Sequence, residues 1–258
     1  MGANHTKGRG GLGRVVVLTG LLVWLGSTDV LAQQWHWPEK TENLQVLPED
    51  IGPDELSATM RGFAMALGVR CEHCHDDTNG NRLSQIDFPA DTKETKEIAR
   101  LMLKMVHRIN GEDLAELDED RPERVEVNCV TCHRGVAIPR MLREILAEVN
   151  AEEGNEAAIA KYRELREQYY GGFSYDFGER SLLRLAERLL EQDKPDDAVA
   201  FMNLNLEMYP ESWQTHVAFG QFYMQKEENE QAIASLEKAY ALNPFPWIKQ
   251  QLEQLKSQ

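Results

Sequence analysis

Cys71-Glu72-His73-Cys74-His75 and Cys129-Val130-Thr131-Cys132-His133 decide how this chain is read. Together they hold all four cysteines of the 258 residues, in one five-residue pattern, C-x-x-C-H, used twice. Two intervening residues set the sulfurs at the separation of the two vinyl groups of haem. The histidine directly after the second cysteine is then held beneath the ring to ligate iron. Paired cysteines have three other common uses. A structural zinc needs a shorter gap between the pairs. A redox disulfide normally sits beside a βαβ pattern, which this sequence lacks. Structural disulfides suit an exported chain. None of the three accounts for a histidine after both pairs. The expectation is two covalently bound c-type haems on Cys71, Cys74, Cys129 and Cys132, with His75 and His133 as proximal iron ligands.

The far side of each iron separates an electron carrier from a catalyst, because a catalytic haem leaves that position open. Methionine or histidine would fill it. Upstream of the first motif, Pro53, the acidic pair Asp54 and Glu55, and Gly68 punctuate a helix over residues 53–67. Leu56, Met60, Phe63, Ala64 and Leu67 share one face of it at 3.6 spacing, and Met65 points elsewhere. Met60 is therefore the candidate distal ligand of the first iron, weighed against a plain core methionine. A second helix is expected from about Thr92 to Asn110, with Asp91 as N-cap and Gly111 as its end. Its apolar face reads Ile98, Leu101, Met102, Met105 and Ile109. Met102 and Met105 can both face one haem, and the pattern does not separate them. His107 lies off that face. His73 is expected toward solvent, and His36, within Trp35-His36-Trp37, belongs to an aromatic cluster near the mature N-terminus.

Further segments resemble the cytochrome subunit of photosynthetic reaction centres. They are Asn43-Leu44-Gln45-Val46-Leu47, Met60-Arg61-Gly62-Phe63, Ala66-Leu67-Gly68-Val69, Ala99-Arg100-Leu101-Met102, Met105, Ile109-Asn110 and Cys129 through Gly135. The likeness spans roughly residues 41–140 in the same order of helices and motifs. It implies that each haem packs along a helix and that most irons receive a methionine from that helix opposite the motif histidine, one haem taking a distant histidine instead. On that basis Met60 serves the first iron, Met102 the second, and Met105 is packing. Four haems in two halves are the pattern of that subunit; this chain carries one half and then continues into something different.

Residues 1–32 read as a secretory leader: Lys7, Arg9 and Arg14, an apolar run over 15–25, and Val30-Leu31-Ala32 before a cleavage point at Gln33. The run falls short of the ~20 residues a spanning helix needs. Export to the periplasm follows, with no spanning segment after cleavage. The whole chain carries a formal charge of −15. Without the leader, 25 basic residues face 42 acidic ones, a formal −17. Such a surface repels nucleic acid and anionic membranes and favours basic redox proteins as partners.

Residues 141–178 read as connecting helices, broken at Tyr169-Tyr170-Gly171-Gly172-Phe173. Beyond them a period of 34 appears. Gly220, Tyr223, Ala232, Leu236, Ala239 and Pro244 occupy tetratricopeptide-like positions, and Ala186, Leu189, Ala198, Met202, Asn205 and Pro210 form a weaker copy. The expected organisation is a leader (1–32), a two-haem domain (33–140), connecting helices (141–178), and two such repeats with a capping helix (179–258). The expected fold is all-α. The expected function is single-electron transfer between redox proteins, with the repeats either docking a partner or bracing the cytochrome domain. An enzyme of the peroxidase or nitrogen-oxide reductase type, with one open haem, and a haem-based scaffold or sensor are the competing readings.

Overall fold

The computed structural model describes residues 35–117 and 125–257. The expected leader lies outside them. The described residues form ten α-helices and no strand, as the all-α expectation requires; one isolated bridge pairs Asp76 with Asp87.

Helix α1 (Pro53–Leu67) has the punctuation its sequence predicts. Proline occupies its first turn with Asp54 and Glu55, and Gly68 closes it at φ 65°. The Val69 N–H turns back to the Ala64 carbonyl at 3.0 Å, satisfying the helix end. Helix α2 (Glu94–Arg108) departs from expectation at both ends. Asp91 does not cap it; Lys93 stands at the N-cap, and its side chain makes no capping bond. The Asp91 carboxylate is instead drawn to Lys96 and Arg100, each at 2.8 Å, and to Asn43 at 2.9 Å. Nor does Gly111 stop the helix, because a π turn, Ile109–Asp113, runs through it. Asn110 in that turn donates to the Val127 carbonyl at 2.7 Å and accepts the Val127 N–H at 2.8 Å. This clamps the end of α2 to the approach of the second cysteine motif, which forms helix α3 (Cys129–His133).

The remaining helices are α4 (Leu142–Glu153), α5 (Asn155–Tyr169), α6 (Glu179–Glu191), α7 (Pro195–Met208), α8 (Trp213–Gln225), α9 (Asn229–Leu242) and α10 (Pro246–Lys256). Neighbours pair as α4 with α5, α6 with α7 and α8 with α9, and α10 covers α9. Ala186, Leu189, Ala198, Met202, Asn205, Ala232, Leu236 and Ala239, the small and apolar positions of the period, are all buried. At Gly220 a Cβ would come within 2.7 Å of Leu236 Cγ, so glycine is what lets α8 and α9 approach. Asn205, a polar member of the pattern, is fully buried and donates to Thr215 Oγ1 at 2.7 Å, tying α7 to α8.

Helices α4 and α5 are more than a connection. Leu142, Leu146, Ala158, Tyr162 and Leu165 share one core with Leu182, Leu185 and Phe201 of the next pair. Their charged outer faces and a spacing other than 34 hide this third pair in the sequence.

Both clusters of buried apolar side chains fall within residues 142–255. Between residues 35 and 141 the buried apolar side chains among the described residues are Ile51, Leu56, Ala66, Ile86 and Val136. They belong to neither cluster. The two parts of this N-terminal region meet main chain to main chain. The Gly135 N–H donates to the Ala66 carbonyl at 2.8 Å, and a Cβ on Gly68 would lie 2.1 Å from the Gly135 oxygen.

Two outcomes follow. Gly68→Ala combines a left-handed backbone penalty with that overlap and should cost about 2–4 kcal/mol, read as a lower denaturant midpoint of the intact protein. Chain produced without haem attachment should show slow amide exchange in α4 to α10 and fast exchange throughout α1, α2 and α3. Equal protection in both regions would contradict the placement of the core.

Candidate functional site

Each C-x-x-C-H sequence is held by a different local device. The first follows the αL turn at Gly68; Arg70 is extended, and Cys71–His73 form one turn of 3-10 helix. The His75 N–H closes it on the Cys71 carbonyl at 3.0 Å. The second is nucleated by a capping box. Asn128 Oδ1 accepts the Thr131 N–H at 3.2 Å, and Thr131 Oγ1 accepts the Asn128 N–H at 3.1 Å. Arg134 at φ 52° and Gly135 at φ 87° then turn the chain sharply out of α3. Ser174, from the loop before α6, donates to the Arg134 carbonyl at 2.8 Å and fixes that turn.

Both motif histidines make the same bond. His75 Nδ1 lies 3.1 Å from the Phe88 carbonyl, and His133 Nδ1 lies 3.0 Å from the Val136 carbonyl. A carbonyl only accepts, so each Nδ1 carries a proton, and in the neutral ring the lone pair is on Nε2. Such a partner is how proteins orient a metal-binding imidazole. The Phe88 ring adds an edge contact to His75, with centroids 4.9 Å apart. Burial pushes the His75 pKa down, with nearby Lys96, Arg100 and Lys93 acting in the same direction, so the ring stays neutral and able to donate.

All four cysteines are free thiols. Burial raises the pKa of Cys74 and of Cys129, keeping both protonated at neutral pH. Among the described residues, no three His, Cys, Asp or Glu side chains converge on one point.

The loop from Asp76 to Thr92 frames the first motif through charge. Asp76 accepts from Thr92 Oγ1 at 2.7 Å and from the Thr78 N–H at 2.9 Å, which lowers its pKa to about 2. Lys93 Nζ reaches Asp77 at 2.7 Å and the Glu72 carbonyl inside the motif. Asp91 sits well below the usual carboxylate range because Arg100, Lys96 and Asn43 all donate to it.

The candidate distal ligands sit on surface that the protein leaves partly open. Met60 is half-buried on α1. Met102 and Met105 are 37% and 36% exposed on α2, beside Ile98 at 46% and Leu101 at 62%. These four apolar side chains along one helix stripe are only partly covered by the described residues. Met65 and His107 are exposed, His73 is half-buried, and in the aromatic cluster His36 is exposed between half-buried Trp35 and Trp37. A shallow apolar hollow of about 400 Å³, lined by Val130, Thr131, Arg134 and Phe173, adjoins the second motif. Sequence reasoning missed the Phe88 and Val136 carbonyls, since every residue carries one and no residue type marks the choice. The Asn128-x-x-Thr131 cap was a readable signal.

Paired thiols, an imidazole with its Nε2 lone pair free, and an uncovered apolar helix face are the donor set and surface that covalently held haem requires. The residues present fit that group: each motif supplies two thiols and an oriented imidazole, and α2 supplies the open apolar face.

No curated protein matches the chain. A family model described as "Photosynthetic reaction centre cytochrome C subunit" matches residues 36–242, so the likeness reaches beyond residue 140 and into α9. Taken with the two histidine-oriented cysteine motifs, this match over most of the chain places the protein in the photosynthetic reaction centre cytochrome C subunit family, a family of electron-transfer haem proteins.

Proposed function

We propose that the chain is an exported, periplasmic two-haem cytochrome that passes single electrons between protein partners. The observation that carries this reading is the matched pair of Nδ1-to-carbonyl bonds, His75 to Phe88 and His133 to Val136, which leave two Nε2 atoms oriented beside two pairs of free thiols. When bound, haem supplies an iron that changes between ferric and ferrous states by one electron. Everything else is done by the chain. Cys71, Cys74, Cys129 and Cys132 tether; His75 and His133 donate from the proximal side.

Met60 and Met102 are the proposed distal donors, with Met105 the alternative to Met102. Support comes from their place on the apolar stripes of α1 and α2 and from the family's arrangement. A soft thioether favours ferrous over ferric iron, so these donors set high potentials. Filled axial positions are those of a carrier rather than an enzyme.

The proposed domain limits are 33–140 for the two-haem part, 141–178 for the helices that follow, and 179–258 for two tetratricopeptide-like repeats with α10 as cap. Buried small residues at the period positions support the repeats. Their role in this reading is to brace the cytochrome part or to dock a partner. Among the described residues no helix is long and apolar enough to cross a membrane. The acidic surface, −15 overall, favours basic redox partners.

Protein matured with haem in a bacterial periplasm should give a wholly low-spin ferric spectrum, with the weak long-wavelength methionine-to-iron band summing to two haems. A high-spin fraction near one half would mean one open iron and would put the enzyme reading ahead. Met60→His should lower one reduction potential and leave the other nearly unchanged, read by spectroelectrochemical titration. Equal shifts in both would refute the ligand assignment.

A further inference from the structure

Lys96 is placed in an unusual way for a lysine on an acidic protein. Its Nζ donates to three successive backbone carbonyls, Phe88 at 3.0 Å, Pro89 at 3.0 Å and Ala90 at 2.8 Å. Its fourth oxygen partner is the Asp91 carboxylate at 2.8 Å. Only 12% of its side chain is exposed. Holding an ammonium there costs desolvation and side-chain freedom that a solvated lysine would not lose. The first of the three carbonyls is the one that orients His75. At the second motif the arrangement differs: among the described residues no lysine or arginine is bonded to the Val136 carbonyl that holds His133. The two motif histidines therefore lean on carbonyls of unequal acceptor strength.

We infer that Lys96 is a positioning residue that raises the reduction potential of the haem held by His75 and leaves that of the haem held by His133 essentially alone. The inference rests on the reading of these histidines as axial ligands. Two effects give it the same sign. A carbonyl shared between two donors polarises each N–H less, so the imidazole is a weaker electron donor and ferric iron is less stabilised. A cation withdrawn from water also opposes the extra positive charge of ferric iron, and burial limits its screening. Asp91 works against both, because it shares the ammonium and partly neutralises it. Arg100 divides the same carboxylate oxygen at 2.8 Å, so Lys96 is incompletely neutralised.

The test is a spectroelectrochemical titration of full-length, haem-loaded wild type, Lys96→Met and Asp91→Asn, with covalent haem counted in each. Lys96→Met should shift the one-electron equilibrium of one haem about tenfold toward ferric, which is about 59 mV downward, and leave the other in place. Asp91→Asn should move that same haem upward. Both substitutions break the Lys96–Asp91 ion pair, and Asp91→Asn also breaks that with Arg100, so simple loosening of the loop would shift the potential in one direction for both. Opposite signs on one haem support the inference. Unmoved potentials, shifts of the same sign, or equal movement of both haems overturn it. Should Lys96→Met fail to mature, the upward shift in Asp91→Asn, or its absence, still decides. Failure of the axial-ligand reading looks different: wild type itself would carry other than two covalent haems, and the inference would fall with it.

Discussion

A helix with its apolar stripe in water is stable only when something covers that stripe, because short helices gain most of their stability from packing. In α2 the residues left open are Ile98, Leu101, Met102 and Met105, and among the described residues neither buried cluster takes a side chain from 35–141. The order of the N-terminal region comes instead from polar lacing and main-chain contact. Asp76, Asp91, Lys93, Lys96 and Arg100 hold the loop around the first motif, and Asn110 clamps the π turn to Val127. Such bonds position chain without supplying much cohesion, since partly exposed ion pairs each contribute little. That division leaves cohesion to an apolar group on the open stripe and precision to the polar network. The family's haem is such a group.

The C-terminal helices follow the opposite logic. Leucine, alanine and aromatic side chains at helical spacing bury themselves in two continuous clusters, and polar bonds such as Asn205 to Thr215 only set which helix lies beside which. Stacked pairs of this kind gain stability from each neighbour. The third pair, α4 with α5, places the array directly after the second motif, and Ser174 extends the link to the Arg134 carbonyl.

What could be read from sequence depended on whether a residue type carries its own instruction. Proline, acids and glycine placed α1 to the residue, because each enforces a backbone state wherever it stands. The two C-x-x-C-H motifs were equally plain. The ends of α2 were misjudged for the reverse reason: Asp91 is a good cap in isolation, but two cations and an amide from distant chain outcompete one helix N–H. Gly111 permits a stop without demanding one, and a π turn used it otherwise. The partners of His75 and His133 were out of reach, since any residue could have supplied those carbonyls.

Gly68 and Gly135 meet through peptide groups, neither contributing a side chain of its own. Side-chain interfaces stretch and repack as sequences drift; an interface of peptide groups has one length or none. A spacer made of main chain therefore fixes the separation of the two C-x-x-C-H motifs. Surface charge and the C-terminal helices can then vary while the distance between the two motifs stays constant.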